Sequence, residues 1–134
     1  QVKARLTEMA HIGFTPQYYK NFKVQGLAEK DKIKLMKEAK ENEKAGVFSI
    51  VLECVASNVA KEITKSLKIP TIGIGASIHC DGQILVTDDM LGLSGFYPRF
   101  VKKFAKLNYV IEKGVQKYNK AVLKKKFPHK VNEF

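Results

Sequence analysis

The stretch VFSIVL at residues 47–52, with Gly46 before it and Glu53 after it, is the clearest structural signal in the chain. It lacks polar–apolar alternation, is too short for a helix and is rich in branched residues, which is how a strand buried on both faces reads. Upstream, residues 30–45 are rich in strong helix formers, and Gly46 is placed to stop that helix. Downstream, Ser57 can cap a helix over residues 58–67 that carries Val59, Ile63 and Leu67 on one face. Pro70 then opens a second apolar strand, Thr71 to Ile74, which ends at Gly75. Residues 76–82 form a polar loop with a turn at Asp81-Gly82, and Ile84, Leu85 and Val86 form a third strand. Helices return over residues 98–125, one starting at Pro98 and a longer one running from Tyr109 to Lys125. On the longer helix the stripe Ile111, Val115, Tyr118, Val122 needs a partner surface.

Strands and helices alternating through short connections predict parallel βαβ units, an α/β fold of parallel strands with covering helices. No repeat, low-complexity block or linker divides the chain, so residues 1–134 are expected to form a single domain. About four strands are legible, whereas a closed (β/α)₈ TIM barrel usually needs about 250 residues. The expectation is therefore part of such a barrel, about half of one.

Composition narrows the function classes. The apolar fraction, 45%, is too high for a disordered chain and enough for a core. No uninterrupted apolar run is long enough to span a membrane and QVKARLTE has no signal-peptide core, so a cytoplasmic protein is expected rather than a membrane or secreted one. Cys54 and Cys80 are too far apart for a CxxC pair and read as reduced thiols. The net charge of +11 raises the possibility of nucleic-acid binding. Of the 24 basic residues, however, only Arg5 and Arg99 are Arg, and the lysines are interleaved with Glu along the chain. That pattern reads as solvated helix faces rather than as base or phosphate recognition, which favours the Arg fork.

In parallel α/β folds ligands sit beyond the carboxyl ends of the strands. Glu53 directly follows VFSIVL, where burial tends to raise a carboxyl pKa and suit it to proton transfer; a helix-capping or Lys-paired Glu reads equally well from position alone. His11 lies in HIGFTPQ, a stretch that Gly13 and Pro16 make loop-like, and an imidazole there could orient a carbonyl or carry a proton. His79 and His129 have less context. Gly73-Ile74-Gly75 lacks the remaining residues of a phosphate-binding loop and reads as a close backbone approach at a strand end. Asp81, Asp88 and Asp89 could offer oxygen ligands to a divalent cation but read first as turn aspartates.

Taken in order, HIGFTPQ at 11–17, KVQG at 23–26, AGVFSIVLECV at 45–55, IPTIGIGA at 69–76, CDGQILV at 80–86 and DMLGL at 89–93 form a string of landmarks. So do Pro98, Phe100, Val101, Lys102, Tyr118 and Phe127-Pro128 in the tail. This string resembles the C-terminal half of the 3-methyl-2-oxobutanoate (ketopantoate) hydroxymethyltransferase family. The resemblance implies a (β/α)₈ barrel assembled as a homodecamer. It implies transfer of a one-carbon unit from 5,10-methylenetetrahydrofolate to 3-methyl-2-oxobutanoate, giving ketopantoate for pantothenate synthesis, with a bound Mg²⁺ that chelates the 2-oxo acid. The family's catalytic proton-transfer Glu falls on Glu53, and the His near the bound oxo acid falls on His11. The metal-binding acids belong to the family's N-terminal half, so no metal ligand is expected in this segment; no folate-binding residue is identified.

The chain also departs from the family pattern. An apolar strand expected before His11 looks dropped, paired glycines are missing between Tyr19 and Phe22, Ala56 stands where Pro usually follows Glu-Cys-Val, and Ser77 stands where Gly is common. A segment of a longer enzyme fits best, because Glu53, His11 and the Gly-Ile-Gly strand end are intact. The alternatives are a truncated, catalytically inactive homologue and a basic nucleic-acid-binding module.

Overall fold

The structure, a computed structural model, describes residues 7–15 and 23–134. Arg5, the helix-like start of the chain, Pro16, Gln17 and the stretch between Tyr19 and Phe22 lie outside the described residues. Internal contacts divide the chain into two units, Gln1–Ile84 and Leu85–Phe134.

The first unit runs β1 (Met9–Gly13), α1 (Glu29–Ala45), β2 (Ser49–Glu53), α2 (Ser57–Ser66), β3 (Thr71–Ile74) and β4 (Gly82–Gln83). Its four strands pair in parallel, in the order β1-β2-β3-β4. A parallel sheet whose first three strands are joined through helices, with a loop from β3 to β4, fits a partial (β/α)₈ barrel, as the strand and helix spacing predicts.

Helix α1 opens with Glu29 and Asp31 and closes with Lys44, charges that suit the helix dipole. Gly46 ends it in the left-handed region, φ 92°, where a side chain is disfavoured. Lys32, Lys34, Lys37 and Lys40 pair with Glu62, Glu38, Glu41 and Glu43, so these lysines serve helix faces as their interleaving suggests. Every residue of β2 is buried. Successive side chains of a strand point to opposite faces, and one face, with Ile12, Ile50 and Leu52, packs on Leu35 and Ala39 of α1 and Val59, Ala60 and Ile63 of α2. His11, Val51 and Glu53 belong to the other face.

Several expectations require correction. His11 is not in a loop: it lies within β1, in register with Val51 of β2. Pairing with β2 holds MAHIG extended although its own pattern is weak. The last strand is Gly82–Gln83 rather than 84–86. The Ile84 N–H still donates to the Gly73 carbonyl at 3.0 Å, but Ile84 and Val86 are about half exposed and the chain turns into helix α3 at Thr87. Ser57 does not cap α2; its hydroxyl donates to Ser77 Oγ at 3.2 Å, and Leu67 lies just past the helix in an extended conformation.

The second unit holds α3 (Thr87–Leu91), α4 (Leu107–Leu123) and a short 3₁₀ turn at Lys130–Asn132. The helix expected from Pro98 does not form. Only one turn closes there, with the Val101 N–H on the Pro98 carbonyl, and the Phe104 N–H goes to the Met90 carbonyl at 2.8 Å instead of to a preceding turn. Helix α4 carries the stripe Ile111, Val115, Tyr118 and Val122, whose members are all exposed. No helix among the described residues is long and apolar enough to cross a membrane.

Candidate active site

The register of β1 on β2 sets Gly13 beside Glu53 and His11 beside Val51. His11 and Glu53 thus share a face, near the carboxyl ends of adjacent parallel strands. Their side chains meet: His11 Nε2 lies 3.0 Å from Glu53 Oε2. The Glu53 side chain is 12% exposed and that of His11 33%. A carboxylate so deep requires a donor, and the imidazole N–H supplies one while part of the ring stays open to a ligand. Beside His11 opens a cleft of about 390 Å³, lined by Gly13, Thr15 and Gln25 and by Asp31, Lys34 and Glu38 of α1.

The backbone around the pair is closely tied. The Glu53 carbonyl accepts the Phe14 N–H at 2.8 Å, and the Cys54 N–H donates to the Ile74 carbonyl at 2.9 Å. Next, the Cys54 carbonyl accepts the Gln25 N–H at 2.8 Å and the Gln25 carbonyl accepts the Ala56 N–H at 2.9 Å. A Pro at position 56 would have no N–H to give, so the departure at Ala56 adds a tie. Cys54 adopts φ 51°, a conformation costing a non-glycine residue about 1–3 kcal/mol. Gly13, at φ 94°, has no room for a side chain, since a Cβ would lie 2.3 Å from the Glu53 carbonyl oxygen.

Burial, and secondarily the Glu53 charge, push the Cys54 thiol up to about 11 from 9.0. The native thiol stays protonated where the unfolded one ionises, so its contribution to stability is full below pH 9 and is lost as pH rises toward 11. Denaturant unfolding of the native protein and Cys54→Ala should therefore diverge between these limits, with the native protein losing more stability. Equal losses in the two would show that Cys54 does not titrate this way.

The other sequence candidates are placed elsewhere. His79 is exposed in the loop after β3, and His129 caps the 3₁₀ turn of the second unit. Gly73 faces side chains rather than the close backbone expected: a Cβ would meet Gln83 Oε1 at 2.9 Å and Cys80 Sγ at 3.1 Å. Asp81 is more than a turn residue, because its Oδ2 accepts from both the N–H (2.8 Å) and the hydroxyl (3.1 Å) of Thr71. Asp88 and Asp89 lie in the first turn of α3. Among the described residues no three of His, Cys, Asp and Glu gather into a group that could hold a metal ion. Mg²⁺ often takes only one or two carboxylates and fills its shell with water, and no described residue is assigned to it here. The sequence reading also missed Cys54 and Gln25; neither residue type signals the role its backbone plays.

A carboxylate and an imidazole joined at the carboxyl ends of parallel strands define the class as a parallel α/β protein with a strand-end site. Residues 2–130 match the family described as Ketopantoate hydroxymethyltransferase, and the chain belongs to that family. It is 47% identical over 133 residues to the 3-methyl-2-oxobutanoate hydroxymethyltransferase of Pelagibacter ubique (strain HTCC1062), covering 99% of this chain and 52% of that protein. Similar proteins with the same name are found in Clostridium botulinum (strain 657 / Type Ba4), 50% identical over 137 residues, and Thermotoga maritima, 49% identical over 137 residues. Each alignment covers 99% of this chain, and 50% and 51% of those relatives respectively. The chain thus spans about half the length of the curated relatives it matches.

Proposed function

We propose that these residues form the proton-transfer side of a hydroxymethyltransferase acting on 3-methyl-2-oxobutanoate and 5,10-methylenetetrahydrofolate in the cytoplasm. The supporting observation is the His11–Glu53 pair, 3.0 Å apart at the strand ends. In this reading the 2-oxo acid loses its C3 proton and the C–H electron pair becomes an enolate. The enolate carbon then bonds to the folate's one-carbon unit, water supplies the hydroxyl oxygen and tetrahydrofolate leaves. Glu53 carries a proton during this exchange, a task suited to a carboxylate shielded from water. His11 holds Glu53 through one nitrogen and orients the bound oxo acid with its exposed edge. The Mg²⁺ implied by the family would supply charge stabilisation from ligands elsewhere in a longer polypeptide, and a homo-oligomer is proposed from the exposed stripe on α4.

The test is deuterium incorporation at C3 of 3-methyl-2-oxobutanoate in D₂O, by proton NMR, with the purified intact polypeptide and Mg²⁺. The expected outcome is exchange without folate and product once 5,10-methylenetetrahydrofolate is added. His11→Asn should weaken oxo-acid binding by about 10-fold, the loss of roughly one hydrogen bond to a charged group. Absence of both exchange and product from a folded enzyme would exclude this reading.

A further inference from the structure

Two neighbouring strands leave the extended conformation at the level of Glu53. Gly13 does so at φ 94° and Cys54 at φ 51°. Gly13 is confined by the Glu53 carbonyl and by Val55 Cγ2, each under 3 Å from where a Cβ would sit. Cys54 is 4% exposed, and its thiol stays protonated, so it is poorly suited to nucleophilic or acid–base work. What Cys54 does visibly is turn the chain. Its carbonyl takes the Gln25 N–H, and Ala56 returns an N–H to Gln25, tying the segment after β2 to the segment before α1. A left-handed non-glycine residue persists only where its surroundings over-determine it, and such residues cluster at functional sites.

We infer that Cys54 is a positioning residue: its left-handed backbone, tied to Ile74 and Gln25, fixes the Glu53 carboxylate on His11 for proton transfer. The inference rests on the reading of Glu53 given under Proposed function. The conformation turns the chain directly after the Glu53–Cys54 peptide, whose N–H is held on the Ile74 carbonyl, and a carboxylate displaced by about 1 Å can lose about 100-fold in rate. The thiol itself is dispensable in this scheme.

Three substitutions in the intact enzyme separate backbone from sulfur. Cys54→Val places a β-branched residue where φ is positive, which is strongly disfavoured. It should lower kcat by about 100-fold with the oxo-acid KM within about threefold of the native value. Cys54→Gly accepts the same φ without penalty and should keep kcat within about fivefold, and Cys54→Ala, with the same Cβ but no sulfur, should do likewise. Circular dichroism and thermal melting establish which variants fold. If Cys54→Val does not fold, the other two decide: a kcat loss of about 100-fold in folded Cys54→Gly or Cys54→Ala would overturn the inference, because sulfur and not backbone direction would then matter. Native kcat in folded Cys54→Val overturns it as well. Glu53→Gln is measured in parallel. Native turnover there refutes the underlying reading, whereas lost turnover there with an unaffected Cys54→Val refutes the positioning role alone.

Discussion

Replacing Glu53 by Gln in the intact enzyme should lower kcat by about 100- to 10,000-fold, the usual contribution of a positioned acid–base group. Glutamine has the shape of glutamate and its amide oxygen can still accept from His11 Nε2, now 3.0 Å from Glu53 Oε2, so the strand ends should keep their geometry. Only the capacity to take and release a proton is lost. The oxo-acid KM should stay within about threefold, because an interaction needed only in the transition state lowers kcat and kcat/KM together. Steady-state kinetics with varied oxo acid would read both. Turnover at the native rate would remove Glu53 from the chemistry and leave the His11 contact as a structural ion pair.

Leu52→Ala should destabilise the fold by about 2–5 kcal/mol. Leu52 is 0% exposed and belongs to the cluster formed by β1, β2 and the inward faces of α1 and α2. Truncation there removes buried apolar surface and leaves a cavity that two helices and a strand cannot readily fill. Urea unfolding should show a lower midpoint with an unchanged slope. A loss under about 1 kcal/mol would mean that the helices close over the gap, contrary to the packing of Val59 and Ile63 at 0% exposure. Leu52 neighbours Glu53 but points to the opposite face, so catalytic and stability effects should separate between adjacent positions.

The fold was legible where a local pattern was strong. VFSIVL placed β2 to within two residues: Ser49–Glu53 is buried throughout, whereas Val47 and Phe48 precede the strand and Phe48 is 47% exposed, and Gly46 stopped α1 because only glycine is at ease at φ 92°. Strand β1 was not legible: exposed Met9 and polar His11 dilute its apolar pattern, and its extended form depends on pairing with residues some forty positions later. The two-residue β4 was misplaced for a similar reason, since Gly82 and Gln83 are extended by pairing with Ile72 and Gly73 and not by a pattern of their own. At the site, Glu53 was placed at a strand end by position, and its proposed role came from resemblance. The contact between His11 and Glu53 needs the register of two strands, which no window of sequence contains. Cys54 left no trace, because cysteine gives no sign of a left-handed backbone. Asp81 read as a turn residue because its partner, Thr71, is ten positions away across a loop.

The sheet order has a consequence for synthesis. In the order β1-β2-β3-β4, each new strand pairs with the one made just before it. On a ribosome adding about 5–20 residues per second, β2 can dock on β1 once β2 itself has cleared the exit tunnel, and β3 can follow without waiting for anything downstream. The His11–Glu53 pair is complete when β2 docks, before Gly73 or Asp81 has left the tunnel. Assembly is thus vectorial, and the proposed catalytic pair is among the first tertiary contacts this part of the chain can make.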